Sequence, residues 1–95
     1  MKKRFVMKVE HIAIVTDDSG YKEKRVNCWG VFDKKLNKFV AHDNGDLIKS
    51  YMEPIRDRLN EIVPRLEKEG KVIKDIVDGR IYLGGDNEGD WVNVY

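Results

Sequence analysis

The sequence predicts an α+β fold. An antiparallel sheet, made of an N-terminal three-stranded meander and a C-terminal hairpin plus last strand, carries a bent helix on one face. Three observations predict it. The first 42 residues alternate β-branched and aromatic stretches with clusters of turn residues. Residues 47–66 repeat apolar side chains at helical spacing. Asp78-Gly79 separates two short apolar runs, IV and RIYL. A chain of 95 residues suits one domain, residues 1–95.

The segment RFVMKVEHIAIVT reads as the first strand. Phe5, Met7 and Val9 alternate with Val6, Lys8 and Glu10. The apolar residues then crowd together from Ile12 to Val15, so the second half is expected to be covered on both faces. The basic-then-apolar start superficially resembles a signal peptide. Lys8, Glu10 and His11 interrupt the apolar part, and no small-residue cleavage site follows. DDSGYKEK supplies turn chemistry, with Gly20 able to take positive φ. RVNCWGVFD is the second strand, with Gly30 marking a bulge or a close approach. DKKLNK is a polar connection, and Asn37 suits a left-handed position. KFVAH is the third strand.

The helix has the clearest signal. Ile48, Met52, Ile55, Leu59, Ile62 and Leu66 are spaced by 4, 3, 4, 3 and 4 residues, which places them on one helical face. Asp43 or Asn44 is the expected N-cap, with Asp46 near the positive end of the helix dipole. Gly70 is the expected C′ residue. The helix spans about 45–69 and contains Pro54 and Pro64. An interior proline costs about 3 kcal/mol. A kink or break near Pro54 follows, with Pro54 harmless if it opens a second helix. Pro64 then bends the second part.

Residues 71–84, KVIKDIVDGRIYLG, offer two readings. Val72, Ile73, Ile76 and Val77 also fit a helix. Asp-Gly favours a hairpin, because a type I′ turn needs positive φ at both places. GDNEG is then a loop, and DWVNVY a last short strand.

Bulk properties narrow the function classes. Hydrophobic residues make up 41% and charged residues 37%, enough for a core under a densely charged surface. No apolar run reaches the roughly 18 residues that span a bilayer, so no membrane partner is expected. One cysteine, Cys28, excludes an internal disulfide and fits a reducing cytoplasm. Net charge is +1, but residues 1–40 carry ten Lys or Arg against five Asp or Glu, and residues 41–95 carry eight against twelve. Such a split gives a dipolar surface if the halves are also separate in space.

The motifs of catalysis are missing. There is no phosphate-binding loop, dinucleotide fingerprint or nucleophile elbow. Asp86, Glu88 and Asp90 resemble the first ligands of a calcium loop. Counting from Asp86, however, the sixth position is Trp91 rather than Gly, and the sequence stops before a twelfth. Cys28, His11 and His42 lack the close ligand pair of a zinc site. Cys28 with a histidine would make a nucleophile–base pair only if both met in space. It reads as a buried small hydrophobe. Asp17–Asp18 and Asp75–Asp78 sit among turn residues, where aspartate serves the turn.

Two interaction readings remain. A protein-binding surface would use Tyr51, Met52, Ile55 and Leu59 on the broad helix stripe, and Trp91 and Tyr95 on the last strand. Trp91 either closes the core or anchors a partner. A nucleic-acid surface would use Lys22, Lys24, Arg25, Lys34, Lys35 and Lys38, interleaved with Tyr21, Trp29, Phe32 and Phe39. The expected function is the first: a non-enzymatic protein-interaction module without catalytic residues, metal or cofactor. Small charged chains of this kind include inhibitors and accessory proteins of phage or mobile elements. The partner is another protein or a second copy in a homo-oligomer. Nucleic acid is the alternative.

Overall fold

The structure, a computed structural model, describes residues 3–16, 18–42 and 52–94. Three strands come first: β1 (Phe5–Thr16), β2 (Glu23–Asp33) and β3 (Lys38–His42). They form an antiparallel meander in the order β1-β2-β3. The helix α1 (Glu53–Lys68) follows, then β4 (Val72–Val77), β5 (Arg80–Gly84) and β6 (Trp91–Asn93). The last three strands make a second antiparallel sheet, β4-β5-β6. The strands expected in one sheet thus divide into two. Asp78 and Gly79 have φ of 49° and 74°, the positive values that the β4–β5 turn requires. That resolves residues 72–77 as strand.

The two sheets meet at a corner. A bulge in β3 lies opposite Val31 and Phe32. There the Gly79 N–H donates to the Val40 carbonyl at 2.9 Å, and the Val94 N–H donates to the Gly79 carbonyl at 3.0 Å. Lys38 Nζ donates to Asp75 Oδ1 across the same seam at 2.8 Å. Gly30 makes the close approach that its position suggested. A Cβ there would lie 2.8 Å from the Ala41 carbonyl oxygen and 2.8 Å from Phe39 Cδ1.

α1 runs unbroken from Glu53, with Pro54 in the first turn, where its missing N–H leaves no bond unmade. The expected upstream half and its caps, Asp43, Asn44 and Asp46, lie outside the described residues. Pro64 is inside the helix, which nevertheless continues to Lys68. The end is a Schellman motif on Gly70, whose φ is 87°. The Gly70 N–H reaches the Glu67 carbonyl at 3.0 Å, and the Lys71 N–H reaches the Leu66 carbonyl at 2.9 Å.

The core joins one helix face to both sheets. Ile55, Leu59 and Val63 pack with Phe5, Val31, Val40 and Ala41 from the first sheet and Ile76, Ile81 and Leu83 from the second. Polar groups at its rim are paired. The buried Asp33 receives both Arg4 Nε at 2.8 Å and Arg4 Nη2 at 2.9 Å. Its carboxylate also accepts the Lys35 N–H at 2.9 Å, closing the β2–β3 turn. Asn60 covers the start of the β1 edge. Its amide accepts the Phe5 N–H at 3.0 Å and donates to the Phe5 carbonyl at 2.9 Å.

The first hairpin outgrows this core. Among the described residues β3 pairs with β2 from Gly30 to Asp33, while β1 and β2 continue to Thr16 and Glu23. The molecule measures 56 × 30 × 20 Å, with a radius of gyration of 15.9 Å. A compact chain of this length would have about 12 Å. The expectation that the second half of β1 is covered on both faces is therefore corrected. Ile12 and Ile14 are 56% and 61% exposed, because β3 and the helix pack against the proximal half of the hairpin.

Candidate functional site

The projecting arm comprises His11–Thr16 of β1, the turn, and Glu23–Cys28 of β2. A β-bulge sets the way it presents its side chains. Ahead of Glu10, Phe5, Met7 and Val9 share the core-side face with Asp33, Val31 and Trp29. The register shifts between Val9 and His11. One extra residue reverses the alternation, so Ile12 and Ile14, opposite Asn27 and Arg25, continue that same face. His11, Ala13 and Val15 take the other face, opposite Cys28, Val26 and Lys24. An apolar line thus runs from the core out along the arm, through Met7, Val9 and Ile12 to Ile14. The bulge is why the apolar phase on this face changes from residues 5, 7 and 9 to residues 12 and 14.

The arm is also electrically balanced. Residues 11–28 contain Lys22, Lys24 and Arg25 against Asp17, Asp18 and Glu23. Residues 12–16, IAIVT, carry no charge. Tyr21, in the turn, is 92% exposed. Among the described residues no strand pairs with the outer edge of β1, nor with β2 beyond Gly30.

A second cluster sits where the arm leaves the body. His42 Nδ1 donates to Glu10 Oε1 at 2.6 Å. Its Nε2 lies 3.7 Å from Asp78 Oδ1. The histidine ties the bulge of β1 to the end of β3 and to the β4–β5 turn. Phe39 lies beside it, edge-on to Phe32 at 5.2 Å between ring centroids. Lys8 Nζ stands 4.1 Å over the Phe32 ring. A carboxylate orients this imidazole as in a catalytic triad, but a second carboxylate stands where a nucleophile would be needed. Cys28 is opposite His11 in the register. Its thiol is buried, 2% exposed, which suits packing better than nucleophilic attack.

The other candidate chemistry disperses. Asp86 lies in a 3-10 turn, Gly85–Asn87, and Glu88 accepts a bond from Lys74 Nζ at 2.8 Å. Hydrogen bonding to that ammonium, and then its charge, lower the Glu88 pKa. The Asp75 carboxyl is likewise held below its ordinary range, chiefly by its hydrogen bond to Lys38. Asp75 is thus paired with Lys38, while Asp78 lies beside His42 Nε2. Asp17 lies outside the described residues. Among the described residues, no three His, Cys, Asp or Glu side chains gather as metal ligands. A cleft of about 300 Å³ beside the end of α1 is lined by Arg4, Lys35, Glu67 and Lys71 among others. Arg4 is already engaged there by Asp33 and Glu67.

The two sets of binding residues fare differently. Met52, Ile55 and Leu59 are buried in the core, a correction to their assignment as an external helix face. Both sheets need that stripe as their common cover. Tyr51 and Tyr95 lie outside the described residues. Trp91 points away from the core, 52% exposed. It pairs with Tyr82 across β5–β6 and has the Arg80 guanidinium 5.4 Å from its ring centroid. The basic residues separate. Lys22, Lys24 and Arg25 are at the arm's tip, and Lys34 and Lys35 are at the other end of β2. Eleven residues of strand place them roughly 30 Å apart. Lys38 is paired with Asp75.

Ile12 and Ile14 are the surface residues that sequence reasoning missed. The phase change from 5, 7, 9 to 12, 14 was the available signal for their placement. Among the described residues no helix is long and apolar enough to cross a membrane. Comparison of the chain with family models, curated proteins and solved structures finds no match.

Proposed function

We propose that the chain is a small non-enzymatic module that binds another protein through its projecting β-arm. One observation carries the reading: a two-stranded ribbon of balanced charge, whose β1 segment 12–16 carries none, leaves the body with Ile12 and Ile14 more than half exposed. A two-stranded hairpin is marginal in water by itself. A strand edge that no described strand covers, and that is uncharged over residues 12–16, is also a template for pairing. A folded body that holds such a ribbon away from its own core suits a stoichiometric binder, whether inhibitor or accessory subunit. The balance of charge along the arm favours a protein surface over a polyanion, whose binding draws on clustered cations. A cytoplasmic setting belongs to the same reading, since Cys28 has no partner cysteine in the chain.

Site-specific photo-crosslinking in the native host tests this. A photoreactive residue replaces Ile14, and the comparison replaces Glu61 on the exposed side of α1. The proposal expects a discrete protein adduct from position 14 that is missing from position 61. Adducts to nucleic acid alone, or equal yields at both positions, would overturn it.

A further inference from the structure

A second copy of this chain would meet the uncharged edge at residues 12–16 with the same uncharged residues. We infer that two copies pair antiparallel through the outer edges of β1, about a two-fold axis normal to the sheet at Ala13. The inference rests on the arm being the binding surface and goes further by identifying what it binds.

Self-complementarity carries it. In such a pair each residue faces the position whose number, added to its own, gives 26. Ile12 then faces Ile14 of the copy, His11 faces Val15, and Ala13 faces itself. A two-fold normal to the sheet keeps each face on its own side. Ile12 and Ile14 share one face, so the four isoleucines of the pair form one continuous patch. Ala13 and Val15 do the same on the other side. No charge is brought against a like charge along this edge, because residues 12–16 carry none. Lys24 and Arg25 belong to β2, which becomes the outer strand on each side, so the cations stay apart. A chain of net charge +1 adds little repulsion between copies.

The edge has natural limits. The Glu10 bulge interrupts it on one side, and the strand ends at Thr16 on the other. In this register Glu10 faces Thr16, so both copies reach their limits together. Nearer the body, Asn60 occupies the edge at Phe5, which stops the copy's tip from pairing further. Two marginal ribbons become one four-stranded sheet, and sheets of three or more strands with an apolar face hold together where a lone hairpin does not.

A cysteine on the two-fold tests the register directly. Ala13→Cys and, separately, Thr16→Cys are made with Cys28→Ala, and each is oxidised mildly at high dilution of oxidant. Only position 13 brings a residue opposite its own copy at a separation a disulfide can bridge. Position 16 is removed from its copy by roughly 20 Å. The expected result is covalent dimer from Ala13→Cys at least tenfold faster than from Thr16→Cys. Sedimentation equilibrium of the native chain should show a reversible dimer, lost in Ile14→Lys with the circular dichroism of the body retained. A chain that stays monomeric at millimolar concentration overturns the inference. So does equal crosslinking at both positions. If it stays monomeric while position 14 crosslinks to a different protein, self-pairing fails and the protein-binding reading stands. If neither occurs, both fail.

Discussion

The two halves of the first hairpin share a strand pair and a chemistry, yet they end in opposite environments. In the proximal half, Phe5 and Val31 are fully buried beneath α1 and the second sheet. In the distal half, Ile12 and Ile14 continue the same face and meet solvent. Local sequence is therefore enough to make strand, but not to determine what covers it. Coverage depends on how far β3 and α1 reach. Among the described residues β3 reaches as far as the position opposite Gly30, and the helix meets the start of β1 through Asn60. The body is a core stabilised by its own chain. The arm is a surface on which Ile12 and Ile14 are more than half exposed.

The largest way to sharpen that contrast lies in the body. Leu59→Ala removes a fully buried side chain shared by helix and both sheets. It is expected to cost about 2–5 kcal/mol, read as a lowered urea midpoint. Asp33→Asn comes next. It leaves Arg4 without a carboxylate that accepts two guanidinium bonds, at an expected cost of about 1.5–3 kcal/mol. Thermal unfolding followed by circular dichroism measures it. An effect near zero would mean that Arg4 moves wholly to Glu67.

The arm should respond much less. Ile12→Thr with Ile14→Thr keeps β-branching and removes exposed apolar surface. Stability of the dilute protein is expected to change by only about 0.5 kcal/mol in either direction. Disulfide formation through Ala13→Cys should fall at least fivefold in this background. A loss of several kcal/mol in the dilute protein would mean that these residues belong to the core.

Another small effect lies on the seam between the sheets. Asp75 has its pKa lowered by Lys38. Its contribution is thus fully present above the unfolded aspartate value and is lost as pH falls from near 4 through the lower folded value. Both partners are well exposed, 39% and 44%, so the pair is worth under about 1 kcal/mol. Asp75→Asn should be slightly less stable than the native protein at pH 6. The two should converge as pH falls below 4, which denaturation at a series of pH values would reveal.

Much of the body was legible in sequence. Periodicity identified the buried helix face, Asp78-Gly79 identified the second hairpin, and Gly70 identified the end of α1. Each is a local signal with a local cause. The binding surface was not legible, because it depends on the relative reach of separate elements. Met52, Ile55 and Leu59 looked like a wide stripe with area to spare, but two sheets rather than one needed covering. Trp91 could not be placed from its own neighbourhood, since a strand this short shows too little alternation to fix its faces. The clustering of lysines around the meander was real in sequence but not in space, because β2 carries its two ends far apart. The bulge at Glu10 lay between. It left a visible change of phase, which two-sided burial would have explained equally well.

The most direct measurement is amide hydrogen exchange of residues 11–16 compared with Ile81 and Leu83, at low and high protein concentration. In the dilute protein the arm amides are expected to exchange much faster than those of β5, which open only with the body. Raising the concentration should then protect the arm while leaving β5 unchanged. Arm amides as slow as those of β5 in the dilute protein would contradict the account, since the arm would then be part of the core.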